Sequence, residues 1–149
     1  LADEEAGPWL RTGDLGFLDA YGALFLTSRI KDLIIIRGVN HYPQDIERTV
    51  QDSHPALRRD CGAAFGASGE GGERLVVVQE VERTQRQAFD ACAIAAAMRE
   101  AVTKAHDVAV HTIVFIRPAS LPKTTSGKVQ RGLTRSLWEK SELEVIGTG

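Results

Sequence analysis

Residues 31–50 read Lys31-Asp32-Leu33-Ile34-Ile35-Ile36-Arg37-Gly38-Val39-Asn40-His41-Tyr42-Pro43-Gln44-Asp45-Ile46-Glu47-Arg48-Thr49-Val50. Within this stretch the pattern changes from strand to helix. The branched run Leu33 to Ile36 predicts a strand buried on both faces, ending at Arg37-Gly38. Pro43 then opens a helix, since its missing N–H costs nothing in the first turn. Asp45 and Glu47 suit the positive end of the helix dipole. Ile46 and Val50 fall on one face, and His54-Pro55 closes the helix. The charged break Ser28 to Asp32 precedes the strand, so Lys31 is the expected boundary. Residues 1–31 form a β-rich tail and residues 32–149 a compact unit.

Upstream, Phe17 to Asp19 and Ala23 to Thr27 flank Ala20-Tyr21-Gly22, the pattern of a β-hairpin. Downstream, Ala63 to Gly66, Leu75 to Val78 and Thr112 to Ile116 read as core strands, with a turn at residues 69–72. Thr84 and Gln87 can form a capping box. The Ala-rich stretch to Ala105 reads as a helix whose buried stripe is Phe89, Ala93, Ala97 and Ala101, flanked by Ile94, Met98 and Val102. A last helix is expected from Val129 to Glu142, with Leu133 and Leu137 on one face. The order after Lys31 is β-α-β-β-α-β-α. It predicts an α+β domain, with a three-stranded core sheet covered by helices and an N-terminal β-hairpin before it.

The chain has 149 residues and a formal net charge of −2. That balance gives no reason to expect nucleic-acid binding. No apolar run approaches the ~20 residues needed to span a membrane. The acidic Leu1 to Gly7 does not read as a signal peptide. Cys61 and Cys92 sit among small apolar residues and are expected to be buried free thiols of a reducing compartment. His41, His54, His106 and His111 lack metal-ligand spacing, so no metal is expected on this chain's own residues.

Three polar segments interrupt the core pattern. Thr12-Gly13-Asp14 offers a carboxylate whose two oxygens can accept from both hydroxyls of a vicinal diol; a plain Gly-Asp turn reads the same way. In Ser28-Arg29-Ile30-Lys31-Asp32, Arg29 can donate to sugar or phosphate oxygens, or the segment is a solvated charge cluster. Leu121 to Lys128 follows a strand and precedes a helix. A Walker loop fails there, because Pro122 and Val129 stand where Gly and Ser or Thr are required. What remains is a flexible hydroxyl-rich loop ending in Lys128.

Taken in order, these segments resemble the superfamily of acyl-CoA synthetases, nonribosomal peptide adenylation domains and luciferases. Trp9 to Gly16 is similar to its "Y-R-T-G-D" segment, Ser28 to Glu47 to its hinge segment, and Leu121 to Arg131 to its C-terminal "P-K-T-x-x-G-K" loop. Gly38 to Glu47 most resembles the fatty acyl-AMP ligase branch, which passes acyl groups to an acyl carrier protein. Ser28 stands where the family usually carries Gly. The family's Ser/Thr/Gly-rich phosphate loop is not in this sequence.

The resemblance implies the C-terminal domain of an ATP-dependent acyl-AMP ligase, cytoplasmic and inactive without its N-terminal domain. It implies that a fatty acid is activated to acyl-adenylate and its acyl group passed to the phosphopantetheine thiol of an acyl carrier protein. Asp14 and Arg29 would bind the ribose and Lys128 would be catalytic. Lys31 would be the hinge, and Gly38 would lie on the loop passed by the thiol arm. Mg²⁺ would be held mainly by the N-terminal domain. Two other readings are a long-chain acyl-CoA synthetase and a non-catalytic module that docks a carrier protein.

Overall fold

A computed structural model of the chain describes residues 11–69, 72–84 and 89–149. The chain divides into two compact units, Leu1–Lys31 and Asp32–Gly149. The first contains an antiparallel hairpin of β1 (Asp14–Leu18) and β2 (Leu24–Arg29), with a register shift between Leu15 and Gly16. The Asp19 carboxylate closes the turn by accepting from the amides of Tyr21 and Ala23, each at 2.9 Å. Phe17 and Phe25 stack across the strands with ring centroids 5.3 Å apart. Both rings, and Leu18, Leu24 and Leu26, are largely exposed.

The second unit opens with a short hairpin, β3 (Ile34–Ile36) and β4 (Val39–His41). Arg37 and Gly38 form its two-residue connection with φ of 52° and 78°. Positive φ at both positions is the geometry whose twist matches paired strands. Ile34 is buried but Ile35 is 49% exposed, so the expected burial on both faces is corrected. The reason is that β3 pairs only with β4 in a two-stranded sheet and has one open face. Helix α1 (Pro43–Asp52) follows, with Pro at its start and Ile46 and Val50 fully buried, as the sequence predicts.

The core sheet has the order β5 (Leu57–Gly69), β6 (Gly72–Val81), β7 (Val110–Ile116) and β8 (Val145–Thr148). Strands β6 and β7 are parallel, joined through helix α2 (Ala91–His106); the other pairs are antiparallel. The expected three strands are thus joined by a fourth, from the C-terminal tail. Val145 to Thr148 is short and contains Gly147, so it carries little strand signal by itself; pairing with β7 creates it.

Alternate residues of the central strands feed two cores. Ala64, Val77, Ile113 and Phe115 pack with α1 and α2, while Ala63, Phe65, Val76, Val78, Val114 and Ile116 pack with Leu121, Val129 and Trp138. Trp138 lies on helix α3 (Arg131–Glu139), so helices cover both sheet faces. The α+β class with helices over a core sheet therefore holds.

Two helix faces differ from expectation. In α2 the buried residues are Ile94, Ala95, Met98 and Val102, while Ala93 is exposed. Ile94, Met98 and Val102 set the buried face because they remove more apolar area from water than Ala does, and Ala95, on the same arc of the helix, goes in with them. The helix is capped by Asp90, which accepts from the Ala93 amide at 3.0 Å. Gln87, needed for the expected capping box, lies outside the described residues, as do residues 70 and 71 of the expected turn. In α3 Leu133 is exposed and Thr134 is fully buried. Cys61 is buried as expected, but Cys92 is exposed, because it occupies the outer face of the first turn of α2.

Candidate functional site

The hairpin register sets Asp14 opposite Arg29. Their side chains form an ion pair, Arg29 Nε to Asp14 Oδ1 at 3.4 Å, and both remain open to solvent. The Asp14 amide donates to Thr12 Oγ1 at 3.2 Å, and the Ile30 amide donates to the Gly13 carbonyl at 2.8 Å. These bonds fix the Thr12-Gly13-Asp14 turn beside the end of β2. Such a pair presents carboxylate acceptors and a guanidinium donor side by side, which suits a hydroxyl-bearing anionic ligand. Ser28 lies within β2 opposite Leu15, so it replaces Gly in a strand. Lys31 is exposed, in a single 3₁₀ turn spanning Ile30–Asp32.

Lys128 lies in the second unit, on a loop that the sequence reading made flexible. Its backbone closes into a small hairpin. Lys123 and Val129 form a β-bridge, the Thr124 amide donates to the Lys128 carbonyl at 2.8 Å, and the Gln130 amide donates to the Pro122 carbonyl at 3.0 Å. Thr124 Oγ1 accepts from the Lys128 amide at 3.1 Å. Gly127 supplies the left-handed residue of the turn, at φ 81°. Residues 124–128 at the tip are exposed.

Both stems of this loop end on carboxylates. At the entry, Glu80 is 1% exposed and accepts from the amides of Ala119 and Leu121, each at 2.8 Å, and from Arg58 at 2.7 Å. Burial alone would raise this carboxyl's pKa. The two amides and Arg58 outweigh it and hold the group below the ordinary carboxylate range.

At the exit, Arg131 makes a two-pronged contact with Glu47, Nε to Oε1 at 2.7 Å and Nη2 to Oε2 at 2.6 Å. Glu47 also accepts from the Ala64 amide at 2.9 Å, and Arg131 Nη1 lies 3.7 Å from Asp32. Burial pushes the Glu47 carboxyl up against these donors. Burial also disfavours the Arg131 charge, but the bond and charge of Glu47 raise the guanidinium's pKa overall. Paired, parallel N–H···O bonds of this length are the geometry of an ionised pair. A third tie joins Lys123 Nζ to Cys61 Sγ at 3.2 Å.

Sequence reasoning passed over Glu80 and Arg131 and read Glu47 only as a dipole partner. A carboxylate at the end of the apolar run Leu75 to Val78 is the signal that could have found Glu80, since a buried charge needs partners.

Gly38 is exposed in the β3–β4 turn, with open space around it. Its requirement for glycine comes from backbone conformation rather than crowding. Beside this turn is a cleft of about 620 Å³ whose walls include Arg37, His41, Arg74, Arg99, His106 and His111. Burial, then the neighbouring His106, hold His41 below its usual pKa. Lys128 does not line this cleft. The structure thus pairs Asp14 with Arg29, and sets Lys128 and Gly38 on separate turns of the second unit. No group of three His, Cys, Asp or Glu among the described residues is placed to hold a metal ion. None of the helices searched there is long and apolar enough to cross a membrane.

A family model described as "Disco-interacting protein 2-like, AMP domain" matches residues 31–148. The chain belongs to this family. The chain is 56% identical over 135 residues to the medium-chain-fatty-acid–[acyl-carrier-protein] ligase JamA of Moorena producens, covering 91% of this chain and 23% of that protein. It is 42% identical over 130 residues to the long-chain-fatty-acid–AMP ligase FadD28 of Mycobacterium tuberculosis, covering 85% of this chain and 22% of that protein. Among solved structures, the fatty acid AMP ligase of Legionella pneumophila matches with a TM-score of 0.63 at 39% identity, covering 98% of this chain and 25% of that one. The McyG A-PCP structure with phenylalanyl-adenylate matches with a TM-score of 0.76 at 29% identity, covering 87% of this chain and 20% of that one. The chain therefore spans under a quarter of the curated relatives named here. The resemblance to the C-terminal domain of fatty acyl-AMP ligases holds at the level of fold and family.

Proposed function

We propose that this chain is the C-terminal catalytic segment of a cytoplasmic fatty acyl-AMP ligase. Its parent would activate a fatty acid with ATP to acyl-adenylate and pass the acyl group to the phosphopantetheine thiol of an acyl carrier protein. The observation that carries the reading is the mounting of Lys128 at the exposed tip of a closed hairpin held on two carboxylates. A cation so placed can be presented to a phosphate bound elsewhere without a large ordering cost at the moment of reaction. Kinship with JamA, an acyl-carrier-protein ligase by name, supports the acceptor.

In the proposed first step the fatty carboxylate attacks the α-phosphorus of ATP and pyrophosphate leaves. Lys128 stabilises the negative charge that builds on the carboxylate and α-phosphate oxygens, where a fixed cation counts most. Asp14 accepts from the ribose hydroxyls, and Arg29 donates to the same sugar. Residues 1–31 would be the tail of a larger N-terminal domain, and the exposed apolar side chains of the hairpin are what such a tail would bring to it. Mg²⁺ would be held mainly by that domain and would neutralise phosphate charge there.

In the second step the thiol attacks the acyl carbonyl and AMP leaves. Rotation at Lys31 would withdraw Lys128 and bring forward the Gly38 turn, past which the thiol arm runs. A hinge needs only a residue or two that absorb the change in φ and ψ.

The test uses the parent enzyme. Lys128→Ala is expected to slow adenylate formation by at least roughly a hundredfold, the scale for losing one transition-state donor. Thiol transfer from preformed acyl-adenylate should fall far less. Equal losses in the two half-reactions would refute the role of Lys128. Coenzyme A is the second acceptor to consider, because a putative fatty-acid–CoA ligase of Mycobacterium tuberculosis, fadD25, is 40% identical over 141 residues. Offering coenzyme A and holo carrier protein in competition decides between them.

A further inference from the structure

We propose that Arg131 is a positioning residue, which ties the Lys128 hairpin to Asp32 and Glu47 so that the loop moves as one body with the start of its unit. The inference rests on the function proposed above and concerns a residue to which that function assigns no task. Arg131 stands three residues after Lys128, where the hairpin passes into α3. Its guanidinium, with a side chain 17% exposed, meets two carboxylates from separate elements. Asp32 is the first residue of the compact unit, directly after Lys31. Glu47 lies on α1 and is itself fixed by the Ala64 amide of β5.

The connection from Arg131 to Lys128 is short and stiff. The Gln130 amide is bonded back to Pro122, and the Gln130 carbonyl accepts from the amide and hydroxyl of the fully buried Thr134, at 2.9 and 3.0 Å. The bridge of Lys123 with Val129 closes the hairpin above it. A shift at Arg131 is therefore passed to Lys128 rather than absorbed. A flat guanidinium fork holds both position and angle, which a lysine ammonium cannot do. This fits a part that must place a cation to within about an ångström, since an error of that size can cost roughly a hundredfold in rate.

Two readouts separate positioning from mere structural support. In the chain as it stands, Arg131→Gln should speed amide exchange at Gly127, Lys128 and Gln130 by at least roughly tenfold relative to the amides of β6, which report the whole fold. In the parent enzyme, Arg131→Gln should lower kcat for adenylate formation by roughly ten- to a hundredfold, with KM for ATP within about twofold and transfer from preformed acyl-adenylate nearly unchanged. Arg131→Lys should restore charge without restoring the rate. Should Arg131→Gln fail to fold, Asp32→Asn leaves the Glu47 contact intact and is expected to show a smaller fall confined to the same half-reaction. Exchange rising uniformly through the unit, or both half-reactions falling together, would overturn the proposal. Lys128→Ala is run alongside. If it spares adenylation, the functional reading fails; if it abolishes adenylation while both Arg131 variants are normal, only the inference fails.

Discussion

The β1–β2 hairpin and the Lys128 hairpin are both short antiparallel turns carrying a proposed nucleotide-binding residue, yet they are held in different ways. The first is fixed by its own local bonds: the Asp19 side chain across its turn, an exposed ion pair and a stack of two exposed aromatic rings. The second is fixed by carboxylates on distant strands and helices, Glu80 at its entry and Glu47 at its exit. The difference teaches where each geometry is decided. The Lys128 hairpin is complete within its own unit, whereas the β1–β2 hairpin leaves its apolar side chains in water.

This contrast can be broken by substitution. The largest stability effect is expected at Glu80. Glu80→Ala strands the buried Leu121 amide, whereas the amide of the exposed Ala119 can turn to water, so a loss of roughly 1–3 kcal/mol, the cost of one unpaired buried group, is expected in urea unfolding of the chain. Arg58 is partly exposed and can turn to water, so its share is small. The folded carboxyl of Glu80 lies below its unfolded value. Its contribution is therefore full above the unfolded pKa of about 4.3 and is lost as pH falls through the folded value. Below pH ~5 the wild-type chain should lose stability more steeply than Glu80→Gln; matching slopes would show that Glu80 does not drive the acid response.

A middle-sized effect is expected where sequence and structure disagree on α3. Thr134→Ala removes a buried hydroxyl bonded to the Gln130 carbonyl and should cost about 1 kcal/mol. Leu133→Ala, on the exposed face, should stay within about 0.5 kcal/mol. The reverse order in thermal unfolding would restore the face read from the sequence.

A small stability effect is expected at the first hairpin. Asp14→Asn breaks an exposed ion pair and should change stability by less than about 1 kcal/mol. In the parent enzyme it should nonetheless weaken adenylate formation. A stability loss as large as that at Glu80, or normal adenylation, would erase the distinction between the two hairpins.

Much of the fold was legible in local pattern. Pro43 with Ile46 and Val50 gave α1, and the branched runs at Leu75 to Val78 and Thr112 to Ile116 gave the strands that meet in parallel at the centre. The site residues Asp14, Arg29, Lys31, Gly38 and Lys128 came from motif order, and their roles stand as proposals. Illegible were the contacts that hold them. Glu47 and Arg131 are 84 positions apart, and Glu80 lies 41 positions before Leu121, so no local spacing could join them.

By itself the sequence determined the alternation of strand and helix after Lys31, because side-chain period and turn chemistry act over a few residues. It also marked the end of β3 at Arg37-Gly38, whereas the positive φ of both residues was decided by the pairing of β3 with β4. Only the tertiary structure decided that Val145 to Thr148 is a strand, that Ala95 rather than Ala93 faces the core, and that the lysine loop is clamped. Each of these depends on partners brought together by burial, and burial is a property of the packed chain rather than of any short window within it.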